Sequence, residues 1–312
     1  MYPEEHNGKG ERKSKRVKRD GKSKRVKKER DKEMKKILIL IAWITSSVMM
    51  AQQKELCIVH TSDTHSCVEP LSPNNPNAEE ADKGGYLRRA ALLDRLREEH
   101  KDLLLLDCGD FSQGSVYYNL YKGEVEVKLM NEMGYDACTI GNHEFDNGLE
   151  NMAKLFRLAK FPVVCCNYDF TGTPVEGLVK PYIVKECAGV RVGILGVSPK
   201  MDGLVAAANI GNTRYIDPAE AAQPVIDRLR GEEHCDVVIC LSHLGKGTDP
   251  EMDPTFISRT KGIDVVLGGH THTYQEVPDF IKDAEGIDVA LDHQGKNGRF
   301  VGVVTLSVEG RE

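Results

Sequence analysis

The sequence predicts an α/β fold built on a mixed sheet, and three observations predict it. After a basic leader and an apolar segment, short β-branched runs alternate with amphipathic stretches to the end of the chain. The final run sets Phe300, Val304, Leu306 and Val308 against smaller or more polar neighbours, as an antiparallel, half-covered strand does. With 312 residues, 40 % apolar and 29 % charged, the chain suffices for one sizeable core and leaves little room for a second full domain.

Taken in order, strands are expected at Leu56–Thr61, Leu103–Asp107, Ala137–Ile140, Val163–Cys166, Val190–Gly196, Val237–Leu241, Asp264–Leu267 and Phe300–Val308. Helices are expected at Gly85–Glu99, with Tyr86, Ala90, Leu93 and Leu96 on one face, and at Glu124–Met133, stopped by Gly134. Residues 69–83 and Pro278–Asp288 read as long, turn-rich loops of the kind that rim sites.

Charge is distributed unevenly. Residues 1–36 carry 16 Lys and Arg against 7 Asp and Glu, leaving 26 against 41 for the rest. So acidic a body disfavours a nucleic-acid partner, whose phosphates are met by basic side chains. The leader, residues 1–33, holds a tandem Lys-Ser-Lys-Arg-Val-Lys at 13–18 and 22–27 without apolar periodicity. It is expected to be disordered and reads as an over-extended start, with Met34 the natural one. Residues 34–51 have the outline of a signal peptide: a basic start, an apolar run from Ile37, and Ala51 before Gln52-Gln53. The run is too short and too interrupted by Thr45, Ser46 and Ser47 to span a membrane comfortably, so cleavage after Ala51 and export to the periplasm or outside are expected, with no stable membrane span afterwards. Residues 52–312 form the expected folded domain. All nine cysteines follow residue 51; no Cys-x-x-Cys pair occurs, and Cys57, Cys138, Cys165 and Cys240 lie in apolar runs where a free thiol acts as a small core residue.

Five polar clusters each follow a predicted strand directly: Asp63-Thr64-His65, Gly109-Asp110, Gly141-Asn142-His143-Glu144, His243, and Gly269-His270-Thr271-His272. Singly, each is weak: an Asp-x-His or a Gly-Asp is usually a turn, and a lone histidine is more often a satisfied one. Jointly they are not. In open α/β sheets ligands bind beyond the carboxyl ends of the strands, where five such loops can converge. Two Asp, one Asn and four His supply mixed nitrogen and oxygen ligands suited to zinc, manganese or iron rather than calcium. No Gly-x-Ser-x-Gly is present to suggest another nucleophile.

The order of these clusters resembles the calcineurin-like metallophosphoesterases. The strings Thr61-Ser-Asp-Thr-His65, Gly141-Asn-His-Glu-Phe-Asp146 and Gly268-Gly-His-Thr-His272 look like the catalytic domain of the 5′-nucleotidase/UDP-sugar hydrolase branch, over about residues 55–310. The resemblance implies a four-layer α-β-β-α sandwich with two mixed sheets and two divalent metal ions in the crevice. By matching motif, Asp63, His65 and His272 would hold the first ion, Asn142, His243 and His270 the second, and Asp110 would bridge them. Two such ions deprotonate a bridging water, whose hydroxide attacks, and clamp the phosphoryl oxygens. His143 would donate to the phosphoryl group or leaving group, its imidazole held by Asp146, and Asn142 would also lie near the phosphate. Glu144 reads as structural, and His60, His100, His234 and His293 receive no role.

The implied substrate is a small phosphate monoester, 5′-nucleotides first. The rivals are a 2′,3′-cyclic nucleotide phosphodiesterase, a related thiosulfohydrolase, or a non-catalytic metal-dependent binding subunit. Nucleotidases of the branch continue into a second domain that clamps the nucleobase; that domain is expected to be lacking here, and a separate polypeptide carrying it is the expected partner.

Overall fold

A computed structural model describes residues 54–309. The leader and signal-peptide expectations lie outside the described residues. In chain order the strands are β1 (Lys54–Thr61), β2 (Leu104–Asp107), β3 (Ala137–Cys138), β4 (Val163–Val164), β5 (Tyr168–Asp169), β6 (Val179–Lys180), β7 (Tyr182–Cys187), β8 (Val190–Val197), β9 (Arg214–Tyr215), β10 (Val237–Ser242), β11 (Val265–Gly268), β12 (Asp279–Lys282), β13 (Asp288–His293) and β14 (Gly302–Val308). The helices are α1 (Tyr86–Glu99), α2 (Val116–Tyr121), α3 (Glu124–Met133), α4 (Gly148–Leu158), α5 (Ala207–Ile210), α6 (Pro218–Gly231) and α7 (Asp253–Arg259).

Two six-stranded sheets form, in the orders β14-β1-β2-β3-β4-β6 and β12-β13-β11-β10-β8-β7. Both are mixed. The first is parallel except where β14 runs against β1, and the second is parallel between β8 and β13 with antiparallel strands at both edges. Alternation along each strand fixes which sheet face meets what. Leu56 and Ile58 of β1 join Leu104 and Leu106 of β2 against Ile194, Ile239 and Leu267 of the second sheet. Their neighbours Cys57, Val59 and Leu105 face Leu93, Val127, Met130 and Met152 of the helices on the other side. In the second sheet Leu195, Val238 and Val266 face Ala222, Ile226 and Leu229 of α6 and Ile257 of α7. Helices, sheet, sheet and helices therefore stack as four layers around three apolar interfaces.

Register aligns the strand ends. Thr61 pairs with Asp107, and Asp107 with Cys138, so the loops after β1, β2 and β3 leave the first sheet side by side. Ile239 pairs with Val265 and Leu241 with Leu267, so those after β10 and β11 do the same in the second.

The expected loop at Pro278–Asp288 is corrected: most of it is the β12–β13 hairpin, with Lys282 opposite Asp288. Asp283 makes the turn, its carboxylate accepting from the backbone N–H of Glu285 at 2.8 Å and Ile287 at 2.9 Å, and Gly286 supplies the positive φ of 82°. Residues 69–83 contain no strand or helix, as expected. Cys57, Cys138, Cys165 and Cys240 are free and buried.

Candidate metal centre

The first strand-end loop is held by the second. After β1 the backbone N–H of Asp63 donates to the Gly109 carbonyl at 2.9 Å, and that of His65 to the Asp110 carbonyl at 3.0 Å. Asp63, His65, Asp110, His270 and His272 all adopt positive φ, between 43° and 73°. This left-handed backbone is costly for non-glycine residues and gathers at functional sites. Glycines make the convergence sterically feasible: a Cβ at Gly141 would lie 2.1 Å from Asp110 Oδ1, and one at Gly269 2.8 Å from Asp63 Oδ2.

Around these turns the predicted ligands come together. Asp63, His65 and His272 present ligand atoms within 4.8 Å of one another, and so do Asp110, His243 and His270. His65 Nε2 and His272 Nε2 are 3.0 Å apart, and His272 Nε2 lies 3.5 Å from Asp63 Oδ1. His243 is wholly buried; its Nδ1–H donates to the Cys108 carbonyl at 2.6 Å, which turns Nε2 toward Asp110 Oδ2 at 3.0 Å. Asp110 Oδ1 accepts the backbone N–H of His143 at 2.9 Å, so this one carboxylate is fixed from two sides.

Divalent cations fit this donor set. The side-chain oxygen of Asn142 is buried without a protein partner, an expensive arrangement that a cation would satisfy. Two imidazole Nε2 atoms aimed at each other beside a carboxylate make sense as ligands of a shared charge. Burial lowers the pKa of His65 to about 3, that of His270 to about 4, and that of His272 as well, keeping these imidazoles in the neutral form that ligates. His243 differs: burial alone would lower it, but the carboxylates of Asp110 and Asp63 push it to about 10. Those carboxylates draw a positive charge to this spot, and a cation would displace the proton. Burial would raise Asp110, but His243 holds it well below the usual carboxylate range. Burial raises Asp63 to about 7.

His143 stands at the edge, its side chain 26 % exposed, with Nδ1 2.8 Å from Asp146 Oδ2. Burial, the largest single influence, lowers its pKa, but the hydrogen bond to Asp146 and the nearby carboxylates of Asp110, Asp146 and Glu144 together give a net upward shift. Asp146 is placed in turn by Asn209, whose amide donates to its backbone carbonyl at 2.9 Å. His143 also has a ligand atom within 4.8 Å of those of His65 and Asp110. Glu144 is structural, as its sequence context suggested: it accepts the backbone N–H groups of Asp110 at 2.9 Å, Gly141 at 2.6 Å and Phe111 at 3.1 Å, tying two strand-end loops together. Burial raises its pKa to about 8.

Sequence reasoning passed over His60 and His293, which are buried and bound to Asp292 and Asp253 at 2.9 Å each. Asp253 also accepts from Ser242, the residue before His243. Nothing local in the sequence connects residues 242, 253 and 293. The half-buried His100, 4.0 Å from Glu55, and the exposed His234 belong to none of the ligand groups.

A family model for calcineurin-like phosphoesterases matches residues 57–274. A 5′-nucleotidase of Rattus norvegicus is 36 % identical over 72 % of this chain and 39 % of its own length. A venom 5′-nucleotidase of Crotalus adamanteus is 35 % identical over 76 % of this chain and 40 % of its own. The chain thus spans about two-fifths of the length of the curated relatives it matches. Among solved structures, a 5′-nucleotidase precursor of Thermus thermophilus superimposes with a TM-score of 0.72 at 33 % identity, over 80 % of this chain and 51 % of that one. A NAD nucleotidase of Haemophilus influenzae gives 0.73 at 27 %, over 82 % and 53 %. With the family model matching well over half of the sequence and the fold shared, the chain belongs to the calcineurin-like phosphoesterase family.

Proposed function

We propose that this chain hydrolyses phosphate monoesters, 5′-nucleotides foremost, at a centre of two divalent cations. The observation that carries the reading is the placement of Asp110 between two ligand groups: one oxygen lies against His243, while His65 on the other side shares a cluster with Asp63 and His272. A carboxylate so placed serves both sites at once. Asp63, His65 and His272 would hold one ion, Asn142, His243 and His270 the other, with Asp110 common to both.

When bound, the ions lower the pKa of water to give a nucleophile and neutralise phosphoryl charge. The protein's own residues do the rest. The Cys108 carbonyl orients His243, and the backbone N–H of His270 donates to Asp63 Oδ1 at 3.0 Å, so the ligands are fixed before substrate arrives. His143, held protonated on Nδ1 by Asp146, offers its Nε2–H to a phosphoryl oxygen or to the departing oxygen. Asn142, next to it, is positioned to contact the same phosphate.

Export, directed by residues 34–51, belongs to the same proposal. Among the described residues no helix is long and apolar enough to cross a membrane.

A panel of esters tests the substrate reading. Purified protein with added manganese or zinc should release phosphate from AMP and other 5′-nucleotides and from aryl phosphates. Release only from 2′,3′-cyclic nucleotides, or from none of the panel, would overturn it.

A further inference from the structure

The two flanks of the centre differ in chemistry. Beside His270 a cavity of about 420 Å³ is edged by Asp202, Asp249 and Glu251 and has no Phe, Tyr or Trp in its lining. Beside His272 the surface is aromatic and basic. Tyr274 stacks on Phe300 with ring centroids 3.9 Å apart and planes inclined by 23°. Lys83 and Arg299 lie 5.9 Å and 5.6 Å from the Phe300 centroid, and Arg299 is anchored to Glu80 at 3.1 Å. Phe300 is thereby packed in, whereas Tyr274 remains 48 % exposed.

This pair is tied to the centre through the backbone. The Gly295 N–H donates to the Thr273 carbonyl at 2.8 Å, and the Asn297 N–H to the Asp63 carbonyl at 2.8 Å, so the loop carrying Phe300 is pinned to two ligand-bearing segments. Tyr274 follows His272 by two residues, on the short segment whose Thr271 and Thr273 hydroxyls meet at 3.1 Å.

We propose that the outer face of Tyr274, backed by Phe300, is the stacking platform for the aromatic part of the ester's leaving group, a nucleobase or an aryl ring. An exposed ring held flat from behind loses little freedom when a second ring covers it, and any π-face satisfies it. The platform touches neither the phosphate nor a metal ligand's donor atoms, so it acts on the remote part of the substrate. Being one-sided, it separates aromatic from aliphatic leaving groups and hardly separates one nucleobase from another.

This inference rests on the phosphomonoesterase reading, and two measurements keep their failures apart. In steady-state kinetics, Tyr274→Ala should lower kcat/KM about five- to twentyfold for AMP and p-nitrophenyl phosphate, mainly through KM, and leave β-glycerol phosphate unchanged. Tyr274→Phe should restore the parent values. Equal losses on all three esters, or none, would overturn the platform. Adenosine, which has no phosphate, supplies the second measurement: its ring protons should show saturation transfer from the parent protein that falls several-fold in Tyr274→Ala. Transfer unaffected by the substitution overturns the platform even if no ester is hydrolysed, whereas lost transfer in a protein inert toward all esters upholds it and removes the phosphomonoesterase reading.

Discussion

Asp110→Asn should abolish more activity than any other single ligand change, by on the order of 10³-fold or more in kcat/KM, because it weakens both cation sites together. The substitution is isosteric, so the Gly141 backbone packed against this side chain has no new atom to accommodate. What changes is charge and donor direction. The amide oxygen can still accept the His143 N–H that Asp110 Oδ1 accepts now. The NH2 group then falls where Oδ2 faces His243 Nε2 at 3.0 Å, offering a donor to a nitrogen that has to ligate. Thermal unfolding with and without metal separates this from simple misfolding. The parent should gain stability on adding manganese or zinc, since a ligand that binds only the folded state stabilises it. The variant should unfold somewhat earlier in metal-free buffer, having lost the buried Asp110–His243 pair, yet stay folded and lose most of that gain. Full activity in the variant, or an undiminished metal-dependent gain, contradicts the bridging role.

His143→Ala should lower kcat about 10²- to 10³-fold while retaining bound metal, the usual cost of deleting one positioned transition-state donor. Three features support this. The imidazole is partly exposed, as a group meeting substrate has to be; its Nδ1 is occupied by Asp146 at 2.8 Å; and against the lowering effect of burial, that bond and the carboxylates of Asp110, Asp146 and Glu144 together raise its pKa. Asp146→Asn should do less damage, because the ring stays in place while its protonated form loses a partner. Rates and metal content measured together decide the matter. His143 comes close enough to His65 and Asp110 to count as a ligand, so a variant that loses a metal would move His143 from donor to ligand.

The site was more legible in the sequence than the scaffold that holds it. Asp63, His65, Asp110, Asn142, His243, His270 and His272 follow apolar runs within a few residues, and the rule that ligands gather beyond strand ends brings them together without any long-range information. The glycines beside them carried the same message, since Gly141 and Gly269 leave room only for a hydrogen. The eight predicted strands recur as β1–β4, β8, β10, β11 and β14, and Glu124–Met133 matches α3 at both ends.

Elements that tertiary pairing alone stabilises were not legible. β5, β6 and β9 are two residues each, too short for a period to show. β7 carries Lys185 and Glu186 on an exposed sheet edge, so its sequence lacks a clean apolar alternation. The β12–β13 hairpin was read as a loop because its first strand keeps Phe280 largely exposed and Asp279 and Lys282 polar. The Ser242–Asp253–His293 chain and the Tyr274–Phe300 stack join residues far apart in sequence, and nothing local announces either.

The central claim is that one set of loops holds two cations around a shared carboxylate, and calorimetric titration of the metal-free protein tests it most directly. The account predicts two divalent ions bound per chain, with protons released as His243 gives up its charge and phosphate-releasing activity rising with occupancy of both sites. Saturation at one ion per chain with full activity, or full activity in metal-free protein, would contradict it.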